Sequence, residues 1–182
     1  LAALLARAPD AAMLRRTRDL AGDDSELGRA VNALAAEAAK ATPAGAEREY
    51  NRLFIGVGRG ELLPYASVYL TGFLNEKPLA ALRSDMLALG VERAPDVFEP
   101  EDHIASLCEI MAGLILGRFG APLAVARQRE FFNRHVGIWA PHFFADLEGA
   151  SEAKLYAPVG AVGRAFMKIE ADAFRMAGAD GA

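Results

Sequence analysis

The 182 residues carry 24 acidic and 20 basic side chains, a net charge of −4, with three histidines and one cysteine. An acidic surplus argues against a protein that grips nucleic-acid phosphates. A lone thiol, Cys108, excludes an internal disulfide, and no apolar stretch reaches the ~18–20 residues of a membrane span.

A chain of this length suits one compact domain, or two small ones with a shared core, that buries roughly 70% of its unfolded surface without covalent staples. Alanine, leucine, glutamate and arginine are good helix formers, and alternating apolar and polar runs are scarce, so an all-α fold is expected. The opening "LAALLARAPD" lacks the basic start and cleavage box of a secretory signal. It begins at Leu1 rather than Met, which leaves the native start open. The reading is a soluble, cytoplasmic protein without direct membrane insertion. "PDAAMLRRTRDLAG" opens a helix at Pro9, and Gly22 can stop it. "DDSELGRAVNALAAEAAKA" places Leu27, Val31, Leu34 and Ala38 on one face. Thr42 and Pro43 cap a third helix, in which Tyr50, Leu53, Phe54 and Val57 share a side.

The glycines at 56, 58 and 60 break that helix. "LPYASVYLTGFL" reads as a short helix with Pro64 near its start, and "KPLAALRSDMLALG" as another closed by Gly90. "VERAPDVFEP", 91 to 100, has two prolines and reads as a hinge between sub-halves of about 1–90 and 101–182. Beyond it, "EDHIASLCEIMAGLILGRFG" is a long helix ending at Gly120. "APLAVARQREFFNRHVGIWAPHFFADLEGA" is bent or interrupted at Pro141. "SEAKLYAPVGAVGRAFMKIEADAFRMAG" closes the chain, with Ser151 as N-cap and a kink or restart at Pro158.

The densest local chemistry is "FEPEDH", 98 to 103. Pro100, Glu101 and Asp102 suit a first helical turn, where the macrodipole favours acid. His103, Leu107, Ile110 and Leu114 form an apolar stripe, and Asp102, Ser106, Glu109 and Gly113 a polar, small one. Gly113 and Gly117 would admit a neighbouring helix. The stretch therefore either starts an ordinary helix or sets acid at the mouth of a crevice suited to guanidinium. His103, His135 and His142 form no i, i+4 pair and no HExxH, so a metal site has little support. Ser67 and Ser106 lack a nucleophile elbow. Gly56, Gly58 and Gly60 are spaced GxGxG without a GK[ST], so they spell no phosphate cradle. Gln128, Phe131, Phe132, His135, Trp139 and His142 line one helix side, which reads as core packing.

Three blocks in order, "NRLFIGVGRGELLPYASVYL", "EPEDHIASLCEIMAGLI" and "QREFFNRHVGIWAPHFF", resemble the TorD/DmsD family of redox-enzyme maturation chaperones. The likeness covers nearly the whole chain, and E-P-x-D-H is its most specific motif. It implies an all-helical chaperone without enzymatic activity or cofactor. It implies binding of the twin-arginine signal peptide of a molybdenum-cofactor oxidoreductase, held until cofactor insertion and folding precede Tat export. The partners implied are that peptide and the apo catalytic subunit, with the chain a monomer or a domain-swapped homodimer. Carried over, the signal-peptide surface would use Pro64, Tyr65, Ser67, Tyr69, Glu99, Pro100, Asp102 and His103. Glu101 adds acid, and Leu53 and Phe54 add apolar surface. Two other readings stand beside it. One is a small-ligand or guanine-nucleotide module at the glycines. The other is a metal-dependent hydrolase using Glu99, Asp102 and His103.

Overall fold

The computed structural model describes residues 1–56, 58, 60–95 and 97–179. Every regular element among them is helical, as the composition predicts. In chain order these are α1 (Ala2–Ala6), α2 (Ala11–Arg18), α3 (Glu26–Lys40), α4 (Pro43–Tyr50) and a π-helical turn (Asn51–Ile55). Then come α5 (Ala66–Thr71), α6 (Lys77–Ala88), α7 (Ile104–Leu116), α8 (Val125–His135), α9 (Ala140–Gly149) and α10 (Tyr156–Ala179). Val57, expected on the face of Tyr50 and Phe54, lies outside the described residues, as do Arg59 in the glycine loop and Asp96 in the 91–100 segment.

Local chemistry explains the starts of α2, α3 and α4. The side chains of Asp10, Ser25 and Thr42 accept from Met13, Gly28 and Gly45 N–H at 2.8, 3.0 and 3.1 Å, each relieving an orphan donor. Pro43 takes the first helical position, as expected. Pro9 does not: Asp10 is the cap, and proline sits one residue outside. Gly22 does not stop α2 either, since that helix closes at Asp19. Gly22 instead exchanges two hydrogen bonds with the Asn32 amide, at 2.8 and 3.1 Å, docking the loop on α3.

Several other boundaries differ from expectation. The helix expected from Glu101 starts at Ile104, because His103 takes the cap position and Pro100–His103 form a turn before it. It ends at Gly117, whose φ of 70° only glycine adopts easily, rather than at Gly120. Gly113 admits the ring of Phe119 and not a second helix: a Cβ there would lie 2.3 Å from Phe119 Cε2. The helix over 125–149 breaks at 136–139, ahead of Pro141, because the Val136 and Gly137 N–H groups both close on Phe132 O. Pro158 lies in the first turn of α10, where it removes no helical hydrogen bond, so no kink or restart is needed. Ser151 is not its cap; its N–H and hydroxyl donate to Glu61 Oε1. Buried Glu49 holds the start of α10 instead, accepting from Lys154 N–H at 2.7 Å and Tyr156 N–H at 2.9 Å.

Contacts divide the chain into two units. The first holds Leu1, Ala3–Leu63 and Pro141–Ile169. Its interior includes Leu34, Leu53, Phe54, Phe143, Phe144, Leu147, Tyr156 and Val159. The Phe54 ring stands edge-on to Tyr50 at 5.0 Å and to Tyr156 at 5.3 Å. After the π-helical turn the chain folds back, with Leu62 N–H on Leu53 O at 2.8 Å. The glycine stretch is thus a loop behind a helix, with Gly56 at φ 63° and Gly58 at φ 90°.

The second unit holds Ala2, Pro64–Ala140 and the described residues from Glu170 on. Its interior includes Leu79, Leu82, Met86, Ile104, Leu107, Ile110, Leu114, Phe131, Phe132 and Trp139. The segment 91–100 lies within this unit, with Val91 buried. Of the aromatic block, Phe131, Phe132, His135 and Trp139 are buried as expected, whereas His142 is exposed and Gln128 half-buried; the Phe132 ring lies tilted at 5.1 Å from Phe174, and Trp139 Nε1 donates to His135 O at 2.8 Å.

Candidate functional site

The acidic stretch ties two helix starts together. Tyr65 precedes α5, His103 precedes α7, and the two residues form an isolated antiparallel bridge. Ala66 N–H donates to Asp102 O at 3.0 Å, and Ile104 N–H to Pro64 O at 2.9 Å. The Tyr65 and His103 rings meet edge-on at 5.1 Å. No side chain of its own caps α5. Asp102 does so from the other strand of the bridge: its Oδ2 accepts from Ser67 N–H at 2.8 Å and from Ser67 Oγ–H at 2.6 Å. A carboxylate facing the free N–H groups of a first turn is favoured both by hydrogen bonding and by the macrodipole. His103 caps its own helix, with Nδ1 accepting from Ala105 N–H at 3.1 Å.

The three carboxylates therefore have separate positions. Glu99 is exposed beside Phe98, which is 87% exposed, and accepts from the Tyr65 hydroxyl. Glu101 is buried and carries two guanidinium groups of the chain itself: Arg83 at 2.8 Å and Arg93 at 3.7 Å. Burial raises the Glu101 pKa, but the Arg83 hydrogen bond, its own backbone N–H and the charges of Arg83 and Arg93 outweigh this and hold it below the ordinary value. Asp102 is 1% exposed, and its Oδ1 has no hydrogen-bond partner. It also lines a hollow of about 340 Å³ walled by α5, α6, α7 and α8.

Of the other sequence-predicted residues, Pro64 is buried, Ser67 is fully buried, and Tyr65, Tyr69 and Pro100 are half-buried. The Tyr69 ring lies 5.3 Å from Trp139. The structure brings Pro64, Tyr65, Ser67, Glu99, Pro100, Asp102 and His103 to one place in the second unit. Leu53 and Phe54 belong to the core of the first unit, 0% and 7% exposed. Among the described residues no group of three or more His, Cys, Asp and Glu side chains could hold a metal ion. Cys108 lies in α7, and burial pushes its thiol up to about 11, which leaves it a protonated, inert thiol at neutral pH. No helix among the described residues is long and apolar enough to cross a membrane.

His135, read from the sequence as core packing, lines the hollow, as does Arg134. His135 Nε2 lies 2.6 Å from Asp85 Oδ2, and Arg134 reaches the same carboxylate at 2.9 and 3.1 Å. Burial is the main effect on both His103 and His135 and lowers their pKa values. Glu99 and Asp102 oppose it at the first, Asp85 at the second. A protonated His103 could not accept from Ala105 N–H, which is the same preference seen locally. Folded pKa values depressed below the ordinary 6.5 mean that the unfolded chain binds more protons. Stability is therefore full above about pH 6.5 and falls as pH drops through the folded values. Urea midpoints should be lower at about pH 5.5 than at about pH 7.5, and His103→Asn, which still caps a helix, should flatten that slope. An unchanged midpoint between the two pH values would contradict the assignment.

Residues 20–145 match the family model described as nitrate reductase delta subunit, a span that takes in every candidate residue from Leu53 to His103. The chain is similar to Chaperone protein TorD of Vibrio cholerae serotype O1, 32% identical over 123 residues, 64% of this chain and 56% of that protein. It is also similar to Chaperone protein TorD of Vibrio atlanticus, 29% identical over 126 residues, 65% of this chain and 59% of that protein. The matches thus span a little over half the length of these curated relatives.

Proposed function

Because the chain belongs to the nitrate reductase delta subunit family, which takes in the TorD chaperones, we propose that it is a maturation chaperone for a redox enzyme. In this reading it acts in the cytoplasm and catalyses no reaction. It binds the twin-arginine signal peptide of a molybdenum-cofactor oxidoreductase, keeps the apo catalytic subunit from premature export, and releases it after cofactor insertion and folding. It works as a monomer or as a domain-swapped dimer.

The observation that carries the reading is the concentration of acid at one place in the second unit. Residues 99–102 hold three carboxylates, pinned by the bridge between Tyr65 and His103, with Glu99 exposed next to exposed Phe98. A signal peptide with adjacent arginines and an apolar run carries the complementary chemistry, guanidinium for carboxylate and grease for aromatic surface. Titration calorimetry with a synthetic twin-arginine leader peptide tests it. Saturable binding that weakens with salt is expected, and Glu99→Lys should weaken it severalfold, as reversal of an exposed charge does. A peptide with both arginines replaced by norleucine should bind less tightly. Failure of the leader to bind the wild-type protein at any salt concentration would refute the reading.

A further inference from the structure

The turn between α7 and α8, within the second unit, carries apolar side chains and positive charge into solvent. Over residues 115–127 only Gly117 and Leu123 are half-buried. The rest are exposed, Ile115, Leu116, Phe119 and Val125 among them. Leu116 is 62% and Val125 54% exposed, a large apolar area to leave in water. The turn is nonetheless held in place. Leu123 N–H donates to Leu114 O at 2.9 Å, Arg118 N–H to Gly113 O at 2.9 Å, and the Gln128 amide to Leu123 O at 2.6 Å. The bond from Leu123 to Leu114 sets the last turn of α7 beside the start of α8, so Leu116, Phe119 and Val125 belong to one short projecting cluster.

The local charge runs against that of the chain. Residues 110–129 include Arg118, Arg127 and Arg129 and no acid, in a protein of net charge −4. Arg127 pairs with Glu130 at 2.6 Å, while among the described residues no carboxylate pairs with Arg118 or Arg129. The partner that fits is both anionic and apolar. Nucleic acid supplies phosphates but no bed for exposed leucine and valine. An acidic folded protein would need a concave face to receive a projecting loop. A bilayer with anionic headgroups has phosphate at its surface, hydrocarbon just beneath, and a fluid boundary that closes around a convex element. We infer that this turn docks the chain on an anionic membrane surface, with Leu116 and Val125 dipping into the headgroup boundary and Arg118 on the lipid phosphates. The contact is peripheral and spans nothing. Acid elsewhere on the chain is screened beyond about 8 Å at physiological salt, so the turn decides the sign of the contact. The inference is independent of the signal-peptide reading, because no residue of the acidic stretch takes part.

Vesicle flotation of the full chain tests it, with phosphatidylglycerol mixed equally with phosphatidylcholine, and with phosphatidylcholine alone. Wild type should float with the anionic vesicles, less so as salt rises, and stay behind with the zwitterionic ones. Arg118→Glu removes a positive charge and adds a negative one, so partitioning should fall by at least about tenfold. Leu116→Ser combined with Val125→Ser should weaken it severalfold, while Leu87→Ser, at an exposed position of α6, should float as wild type does. Methyl NMR gives a measure that needs no variant. Spin-labelled lipid in phosphatidylglycerol nanodiscs should broaden the methyls of Leu116 and Val125 and leave those of Leu87 sharp. A polyglutamate peptide is titrated as the rival anion. Failure of wild type to float with anionic vesicles overturns the inference, and saturable polyglutamate binding in that case assigns the turn to an acidic protein partner. Flotation that survives both loop variants, or Leu116 and Val125 methyls no broader than those of Leu87, overturns it as well. Neither result bears on binding of the leader peptide, which is measured separately.

Discussion

Asp102→Ala should lower the unfolding free energy by about 3 kcal/mol, while Asp102→Asn should lose less than about 1 kcal/mol. Ser67 is fully buried, and its N–H and hydroxyl both donate to Asp102 Oδ2. Alanine removes that acceptor and strands two donors at the first turn of α5, each at roughly 1–3 kcal/mol. It also takes away the side-chain acceptor of that first turn's Ser67 N–H, and α5 has no cap of its own. Asparagine keeps an oxygen for Ser67 and gives up only Oδ1, which has nothing to lose. Urea denaturation of the two variants measures the difference. Equal stability of the two would mean that the Ser67 contacts contribute little, and that the E-P-x-D-H element has no structural task.

This pair also bears on how binding data on the motif should be read. An alanine substitution at Asp102 or His103 alters a helix start as well as a charge, so weaker peptide binding by such a variant does not by itself locate a contact. Asp102→Asn separates the two, because the amide oxygen keeps the Ser67 contacts while the charge is lost.

The helical class, the aromatic packing of α8 and the loop character of the glycine stretch are legible in the chain, because helix propensity, apolar spacing and glycine act locally. The role of "FEPEDH" is not. Acid after proline before an apolar run has the composition of a first helical turn, yet the helix begins at Ile104 and the acid caps a helix 35 residues earlier in the chain. Spacing within one segment cannot reveal a partner supplied by another. One signal was available: "LPYASVYL" opens a helix with no Ser, Thr, Asp or Asn at its cap position, so its free N–H groups needed an acceptor from elsewhere. The boundaries at Gly117 and 136–139 escaped for a related reason. Gly120 and Pro141 are the stronger breakers on paper, but the chain turns where carbonyls of the last turn find donors.

Gly160→Ala should destabilise the first unit by about 3 kcal/mol, lowering the melting temperature by roughly 10 °C. In an isolated helix the same change would stabilise by about 1 kcal/mol, since alanine is the best helix former and glycine among the worst. Gly160 lies in the second turn of α10, buried against α9. A Cβ there would fall 2.4 Å from the backbone N of Glu148 and 2.8 Å from Phe144 O. Those are backbone atoms of a helix and cannot rotate aside, so α9 and α10 would have to separate, loosening Phe143, Phe144, Leu147 and Val159, all fully buried. Gly149→Ala is the matched control, because a Cβ at that helix-terminal position meets nothing within 4 Å. It should leave stability unchanged or raise it by a few tenths of a kcal/mol. Opposite signs for one chemical change at two helix positions would assign the effect to the close approach of α9 and α10. A loss at both would assign it to helix backbone preferences, and would remove the packing argument for Gly160.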